Sequence, residues 1–511
     1  MPRTGDIARQ VAAELFGPPG QRGFAIRYWD GIEESGPQNG SFTLILRHGG
    51  ALRTMLLPPS EVALGKAFLW GDVDLEGNLE AAVAAGHAVA DRLTSPRRLA
   101  RVVRLALRLP VAGRRSRTHE CPASTRGRRH SRERDAAAIR YHYDAGNEFY
   151  RLWLDREMVY SCGYFPQGIR DLDAAQAAKL DYICRKLRLR EGERLLDVGC
   201  GWGALIRHAA RCYGVEAVGI TLSPAQAELA SRRIAEEGLG ARCRVETRDY
   251  RDLASLPVFD KVASIGMVEH VGRGRLAGYF AAVDRVLRPG GLFLNQGIVD
   301  LENARSRSLP TRLRRRLWRE GGFIQRYVFP DGEVVPLADL LRAAEAAGFE
   351  SRDVESLREH YALTLRHWRR RLEAREPEAV ALMGNVSVRI WRLYLAASAH
   401  AFATERLGVV QLLLSKSQAG VARVPLTRDD LYADAWSGVP CTTRRHALPD
   451  ESSDVEDEIA QGATPMEAHN GIRDERRHGD PLDRQTHGRG IADSVGDQQV
   501  RDRQGGQPLH R

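Results

Sequence analysis

No stretch of eighteen or more apolar residues occurs along the 511 positions of this chain, which leaves no candidate for a membrane-spanning helix. The N-terminus has no apolar h-region behind a basic start, so no secretory signal is expected. The seven cysteines stand apart at positions 121, 162, 184, 200, 212, 243 and 441, with no CxxC pair. That scatter argues against a disulfide framework and a structural zinc site, and no metal is expected. A reducing cytoplasm fits it. Aromatic residues are absent from Cys441 to Arg511. Asp, Arg, Gly, Gln and His dominate there without an apolar period, so residues 437–511 cannot bury enough surface to offset their ordering entropy. They read as a disordered tail, of which residues 441–511 are expected to be dispensable for activity.

What is present begins with charge. Lys and Arg number 76 against 66 Asp and Glu, a formal +10. Such an excess favours an anionic partner. It gathers in two runs, Arg97–Arg134 and Arg305–Arg319. The first has no Phe, Trp or Tyr and the second only Trp318, too few to interleave as stacking platforms for bases, so nucleic acid is not the expected partner. Within the first run, Arg97, Arg101, Arg104 and Arg108 of "PRRLARVVRLALRLP" share one helical face, and Leu99, Val102, Ala106 and Leu109 lie largely away from it. Two readings stay open: a helix lying on an anionic membrane surface, or a solvated linker helix packed on the body. The following "GRRSRTHECPASTRGRRHSRERD" lacks periodicity and reads as a mobile loop.

The chain divides into four parts. Residues 1–95 read as a small α+β domain associated with lipid or membrane, with strands in "FAIRYWDG" and "SFTLILRHGG" and a helix in "GNLEAAVAAGHAVADRL". Residues 96–135 form the basic linker, 136–436 an α/β domain, and 437–511 the tail. In the α/β domain the strands are "RLLDV", "EAVGIT", "CRVETRD", "KVASIG" and "GLFLNQGI", with helices between them. A long helix over "VRIWRLYLAASAHAFATERLG" and a strand "VVQLLLSK" close it. Ser223 and Gln226 make a capping box for the second helix. Leu276, Tyr279, Phe280, Val283 and Leu287 line one face of the third. The fold expected is a doubly wound, Rossmann-like sheet.

The first motif with chemistry is "LLDVGCGWG". Asp197 ends a strand, and Gly199, Gly201 and Gly203 lead into a helix. Glycines let a backbone turn sharply and approach a ligand, and open α/β sheets bind ligands at the carboxyl ends of their strands. A nicotinamide fingerprint needs its third Gly one residue later; here that position is Ala204. The GxGxG pattern looks like the S-adenosylmethionine loop of class I methyltransferases. The second strand ends at Thr221 rather than at an acidic residue. Thr221 either bonds ribose through its hydroxyl or, with Ser223, starts the next helix.

Four further segments carry a specific resemblance. They are "YHYDAGNEFYRLWLDREMVYSCGYF", "DYRDL", "SIGMVEHVG" and "YVFPDGEVVP". With the glycine loop and "GITLSPAQ" they resemble, in order, the cyclopropane-fatty-acyl-phospholipid synthases and mycolic acid methyltransferases. The resemblance implies that S-adenosylmethionine meets Tyr160, Ser161, Asp197, Gly199, Gly201, Gly203, Thr221, Leu222, Gln226, Asp249 and Tyr250. Tyr250 offers a flat apolar face for adenine, or is ordinary core.

The implied reaction adds the sulfonium methyl group to a cis double bond of a phospholipid acyl chain, and proton loss from that methyl closes a cyclopropane ring. Such chemistry needs an apolar path, excluded water, and negative or π-rich groups beside a carbocation. The family's base is bicarbonate, held by a cluster that carries over to Cys162, Glu269, Gln296, Ile298 and Tyr361. Two departures stand out. Gln296 occupies a place where family members often have His, and Ser398 one where many have Cys. A weaker anion site or a different base follows, and with it a methylene or methyl-branched product as the alternative. Methylation of a small soluble substrate and a non-catalytic lipid-binding protein are the other readings. Expected partners are an unsaturated phospholipid, an anionic membrane surface at the inner face of the cell membrane, and a second copy of the chain.

Overall fold

The computed structural model describes residues 3–36, 40–111, 127–143, 145–301, 322–422 and 424–432. The basic run 305–319, the greater part of the expected loop and the tail 437–511 lie outside the described residues.

The N-terminal layer opens with α1 (Thr4–Phe16), then β1 (Ala25–Arg27), β2 (Glu33–Glu34) and β3 (Phe42–Leu46). There follow α2 (Ala51–Leu56), α3 (Glu61–Leu69), β4 (Val73–Gly77), α4 (Leu79–Arg92) and α5 (Pro96–Leu107). The four strands form one sheet in the order β2-β1-β3-β4. Asn78 caps α4 by accepting from the Glu80 and Ala81 amides, which fixes where the helix starts. In α5 the apolar stripe behaves as a packing face: Val102, Ala106 and the following Leu109 are buried, against α1 and α2. Its arginines point outward, and Arg101 pairs with Glu14 at 2.9 Å.

The second half of the basic segment departs from expectation. Arg132 opens a helix, α6 (Arg132–Tyr143), where a loop was expected. Its partners are distant in sequence: Arg132 pairs with Asp252, Arg134 with Asp331, and Asp135 with Arg251. No local periodicity announces a helix anchored by ion pairs of that kind.

The body continues through α7 (Asn147–Arg151), α8 (Leu172–Leu187), β5 (Arg194–Val198), α9 (Ala204–Tyr213), β6 (Glu216–Thr221) and α10 (Pro224–Glu236). Then come β7 (Cys243–Thr247), β8 (Phe259–Ile265), α11 (Leu276–Val286), β9 (Leu287–Asp300), α12 (Gly322–Tyr327) and α13 (Leu337–Ala346). The last elements are β10 (Glu350–Ser356), α14 (Arg358–Ala374), α15 (Glu376–Met383), α16 (Asn385–Ala403), β11 (Leu407–Ser415) and α17 (Asp429–Tyr432). Seven strands make the sheet β10-β11-β9-β8-β5-β6-β7. Strands β9, β8, β5, β6 and β7 run parallel; β11 is antiparallel to both its neighbours.

Three local readings are corrected. Leu287 is the first residue of β9 rather than the last of a helix face, and β9 begins well before "GLFLNQGI". Ser223 does cap α10 by accepting from the Gln226 amide, but the Gln226 side chain turns to Thr221 instead of closing the box. Strand β10, "ESRDVES", was missed because its residues are mostly polar. An edge strand exposes one side, and charge there is the usual protection.

The chain order reverses beside β5, which lies between β6 and β8. A doubly wound sheet leaves a crevice at that switch point, outside the carboxyl ends of the strands. One apolar cluster joins the N-terminal layer to the body, from Ile7 through Trp153 and Trp368 to Val409. The two Trp side chains are fully buried; loss of such a side chain costs about 3–5 kcal/mol.

Candidate active site

The glycine loop leaves the end of β5 in the crevice. The Gly199 and Cys200 amides both donate to the Ile220 carbonyl at 2.9 Å, which pins the loop to β6. Gly201 has φ +53°, and a Cβ built there meets nothing within 4 Å. It faces the open space of a cavity of about 140 Å³. Tyr160, Ser161, Asp197, Gly199, Gly201, Thr221, Leu222, Gln226 and Tyr250 all line that cavity.

Two of the expected cofactor residues stand outside its wall. Gly203 is the N-cap of α9, and a Cβ there would press on Ala230 at 3.1 Å. Asp249 accepts from the Arg251 amide and guanidinium, at 2.9 and 2.8 Å. Of the two readings of Thr221, the structure shows the one that starts the next helix. Its hydroxyl donates to Gln226 Oε1 at 2.8 Å and accepts from the Ser223 amide at 3.2 Å, while its side of the strand end still lines the cavity.

Several wall residues were not foreseen: Tyr143, Lys179, Trp202 and His270. Lys179 was readable. It follows Ala175 by one helical turn and precedes Ile183 by another, so a cation falls on the buried stripe of α8. Its Nζ donates to Ser161 Oγ at 2.9 Å. Burial pushes its pKa down to about 8, against the opposing pull of Asp155, Cys162 and Asp197. Asp197 Oδ1 is buried without a hydrogen-bond partner. Burial raises this carboxyl to about 7, with Lys179 working the other way. A buried cation and a buried, half-satisfied carboxyl on one wall fit a zwitterionic amino-acid group.

Beyond this wall lies the second set. Glu269 sits in a single helical turn, Val268–His270, directly after β8. Its Oε1 accepts from the Ile298 amide at 2.7 Å, and its Oε2 is buried with no partner. Burial lifts its pKa to about 7. Burial also holds neighbouring His270 down to about 4, so that imidazole is neutral. The Glu269 charge is felt at Tyr143, Tyr361 and Tyr394.

The Cys162 thiol is buried and directed at the Gly163 and Leu357 carbonyls. Burial drives its pKa far up, which excludes a thiolate nucleophile. Gln296, in β9, accepts from Gln411 Nε2 of β11 at 2.9 Å. Tyr361 of α14 packs its ring 4.6 Å from Phe402 and 6.0 Å from Trp368.

Around Tyr160 the chain assembles a nest of rings. His142, Trp153, Trp368 and Trp391 have centroids 5.6, 5.4, 5.2 and 6.4 Å from it. Its hydroxyl meets that of Tyr394 at 3.3 Å, and Tyr394 bonds Ser398. Ring faces attract cations, more strongly where water is excluded. Sequence reasoning found Tyr160 and Tyr361 but not the nest, whose members come from α6, the turn after α7, α14 and α16.

The mycolic acid cyclopropane synthetase family matches residues 130–412. A probable fatty acid methyltransferase of Pseudomonas putida is 40% identical over 408 residues, covering 80% of this chain and 95% of that protein. The cyclopropane-fatty-acyl-phospholipid synthase of Escherichia coli is 36% identical over 283 residues, covering 55% of this chain and 69% of that one. Among solved structures, the cyclopropane synthase MmaA2 of Mycobacterium tuberculosis superposes with a TM-score of 0.51 at 32% identity, over 55% of this chain and 98% of its own. The mycolic acid cyclopropane synthase CmaA1, solved with SAH and CTAB, gives the same TM-score at 33% identity, again over 55% of this chain and 98% of that one. The glycine loop, the zwitterion-matching wall and these matches agree: the chain belongs to the mycolic acid cyclopropane synthetase family and is an S-adenosylmethionine-dependent methyltransferase.

Proposed function

We propose that the protein transfers the methyl carbon of S-adenosylmethionine to the cis double bond of unsaturated acyl chains in membrane phospholipids, with closure to a cyclopropane. The observation that carries this reading is a buried carboxylate with one unpartnered oxygen, Glu269, whose charge reaches Tyr394, the ring whose hydroxyl meets Tyr160 in the aromatic nest on the cofactor cavity.

Bound S-adenosylmethionine supplies an electrophilic methyl group. Asp197 and the Lys179–Ser161 pair hold its charged end, and Tyr250 offers a face to its base. The rings around Tyr160 stabilise positive charge on the acyl chain and keep water from trapping it. Glu269 Oε2 then accepts the proton lost from the new methyl group as the ring bond forms.

Bicarbonate does not fit this arrangement. The Ile298 amide is taken by Glu269, and an ionised Glu269 repels an anion. The expected result is a turnover rate in carbonate-depleted buffer equal to that with added bicarbonate. A rate that vanishes on depletion and returns with bicarbonate contradicts Glu269 as the base. Product analysis in the same assay separates two outcomes. A saturated ring supports the main reading; a product that has gained CH2 but keeps an alkene supports methylene formation, which the Gln296–Gln411 pair and the fatty acid methyltransferase relative favour.

Among the described residues no helix is long and apolar enough to cross a membrane. Contact with an anionic surface falls instead to α5, where Arg97, Arg104 and Arg108 are exposed. Each basic side chain near such a surface is worth about 1 kcal/mol, so reversing all three to Glu is expected to weaken binding to anionic vesicles by about 100-fold or more at low salt, and far less at high salt. Equal pelleting of variant and parent at low salt contradicts this role. In this reading residues 1–95 serve lipid association, 136–436 carry catalysis, and the working unit is a homodimer at the inner membrane face.

A further inference from the structure

A second cavity, of about 160 Å³, lies within the N-terminal layer and shares no wall residue with the cofactor cavity. Phe24, Phe68 and Val89 line it from that layer, and Phe323 of α12 and Leu393 of α16 close it from the body. Among the described residues, the charged or polar side chains on its wall are Glu61 and His87. One helix separates it from the aromatic nest. Leu393 and Ala397 of α16 face the cavity, while Trp391 and Tyr394 of the same helix meet Tyr160.

The wall contributed by α4 includes three small residues, Ala82, Ala85 and Gly86, beside Val83, His87 and Val89. A mid-helix Gly costs about 1 kcal/mol relative to Ala. A Cβ at Gly86 would meet only Leu64 Cδ1, at 3.9 Å. The helix therefore gives up stability at a position where a side chain would occupy the space. An apolar cavity of about 150 Å³ stays dry and accepts a small hydrocarbon. Beyond His87 stands a cation: Arg406 donates to His87 Nε2 at 2.8 Å.

We propose that this cavity is an acyl-chain pocket that takes a segment of one hydrocarbon chain of a fatty acid or of a diacyl phospholipid, with the chain's anionic end on the side of His87 and Arg406. The assignment rests on the reading of the protein as a lipid-alkene enzyme. It gives the N-terminal layer a share in lipid recognition, one helix away from the reacting centre.

The test is photolabelling of the full chain with a palmitic acid analogue bearing an alkyl diazirine at its terminal carbon. The expected label falls in α3, α4 or α12, around Phe68, Gly86 and Phe323. Gly86→Leu fills the space and favours the helix, so it is expected to reduce that label by about tenfold or more, while S-adenosylmethionine binding stays unchanged. Ala82→Phe serves as a second filling variant. Displacement by dioleoyl phosphatidylglycerol vesicles assigns the pocket to a phospholipid chain, and displacement by oleic acid alone assigns it to a free fatty acid. Label absent from these elements, undiminished in both folded filling variants, or displaced by neither competitor overturns the pocket. Lipid turnover by the same unlabelled sample keeps the two readings apart: turnover without the label removes the pocket alone, and the label without turnover removes the alkene chemistry alone.

Discussion

Glu269→Gln is expected to lower turnover by about 10²–10⁴-fold, the usual worth of a positioned general base, with cofactor affinity unchanged. The amide keeps the size of the side chain and an acceptor for the Ile298 amide, so the fold has little reason to change. What it loses is the capacity of Oε2 to take a proton. Burial sets the accompanying pH dependence, since it lifts this carboxyl to about 7. A base works deprotonated, so the rate should rise with pH through about 7 and then level.

Stability should move the opposite way. The folded protein holds this proton more tightly than the unfolded chain does. Stability attributable to Glu269 is therefore full below the ordinary carboxylate pKa of about 4.5 and declines as pH rises to about 7. Asp197, lifted to a similar value by burial, adds to the trend. Denaturant midpoints at about pH 5 and about pH 8 check the sign, and the difference should shrink in Glu269→Gln. A Glu269→Gln variant that retains most of its activity contradicts the assignment of the base.

Gly201→Val is expected to abolish S-adenosylmethionine binding. The substituted side chain enters the cofactor cavity, where nothing else stands within 4 Å of its Cβ. Val also resists the left-handed φ of +53°, at a cost of about 1–2 kcal/mol. A companion variant separates the two effects. Gly201→Asn tolerates that backbone conformation far better yet fills the same space, so it should keep the parent's melting temperature and still lose affinity by about 100-fold or more. Calorimetric titration of each folded variant measures this. Unchanged affinity in Gly201→Asn contradicts the placement of the ligand against this backbone.

The parallel part of the sheet was readable because its chemistry is local. A strand ending in Asp197, three glycines and a helix follow one another in sequence, and the crevice is where such a unit must open. Most of the cofactor wall was carried by motifs of the same kind. Glu269 was found through the family resemblance of "SIGMVEHVG", and its place just after a strand agrees with it. The partners that decide its role were hidden. Tyr394, Trp391 and His142 lie far along the chain from Tyr160, and only packing brings them together. Gln411, which takes the carbonyl of Gln296, comes from the adjacent antiparallel strand, and nothing near Gln296 in sequence announces it. The first turn of α6 was read as a loop because long-range ion pairs, not an apolar period, hold it in place. The acyl-chain cavity had no signature at all: its wall is a set of ordinary apolar residues whose meaning lies in the space they leave.

The central claim is methyl transfer to an acyl-chain alkene, and one measurement addresses it directly. The protein is incubated with methyl-labelled S-adenosylmethionine and dioleoyl phospholipid vesicles, and the acyl chains are released and resolved by mass and by reactivity of the double bond. The account predicts label in the acyl chains, a gain of one CH2 per modified chain, and loss of the reactive alkene. Label confined to the water-soluble fraction, or no transfer to lipid by protein that binds the cofactor, contradicts it.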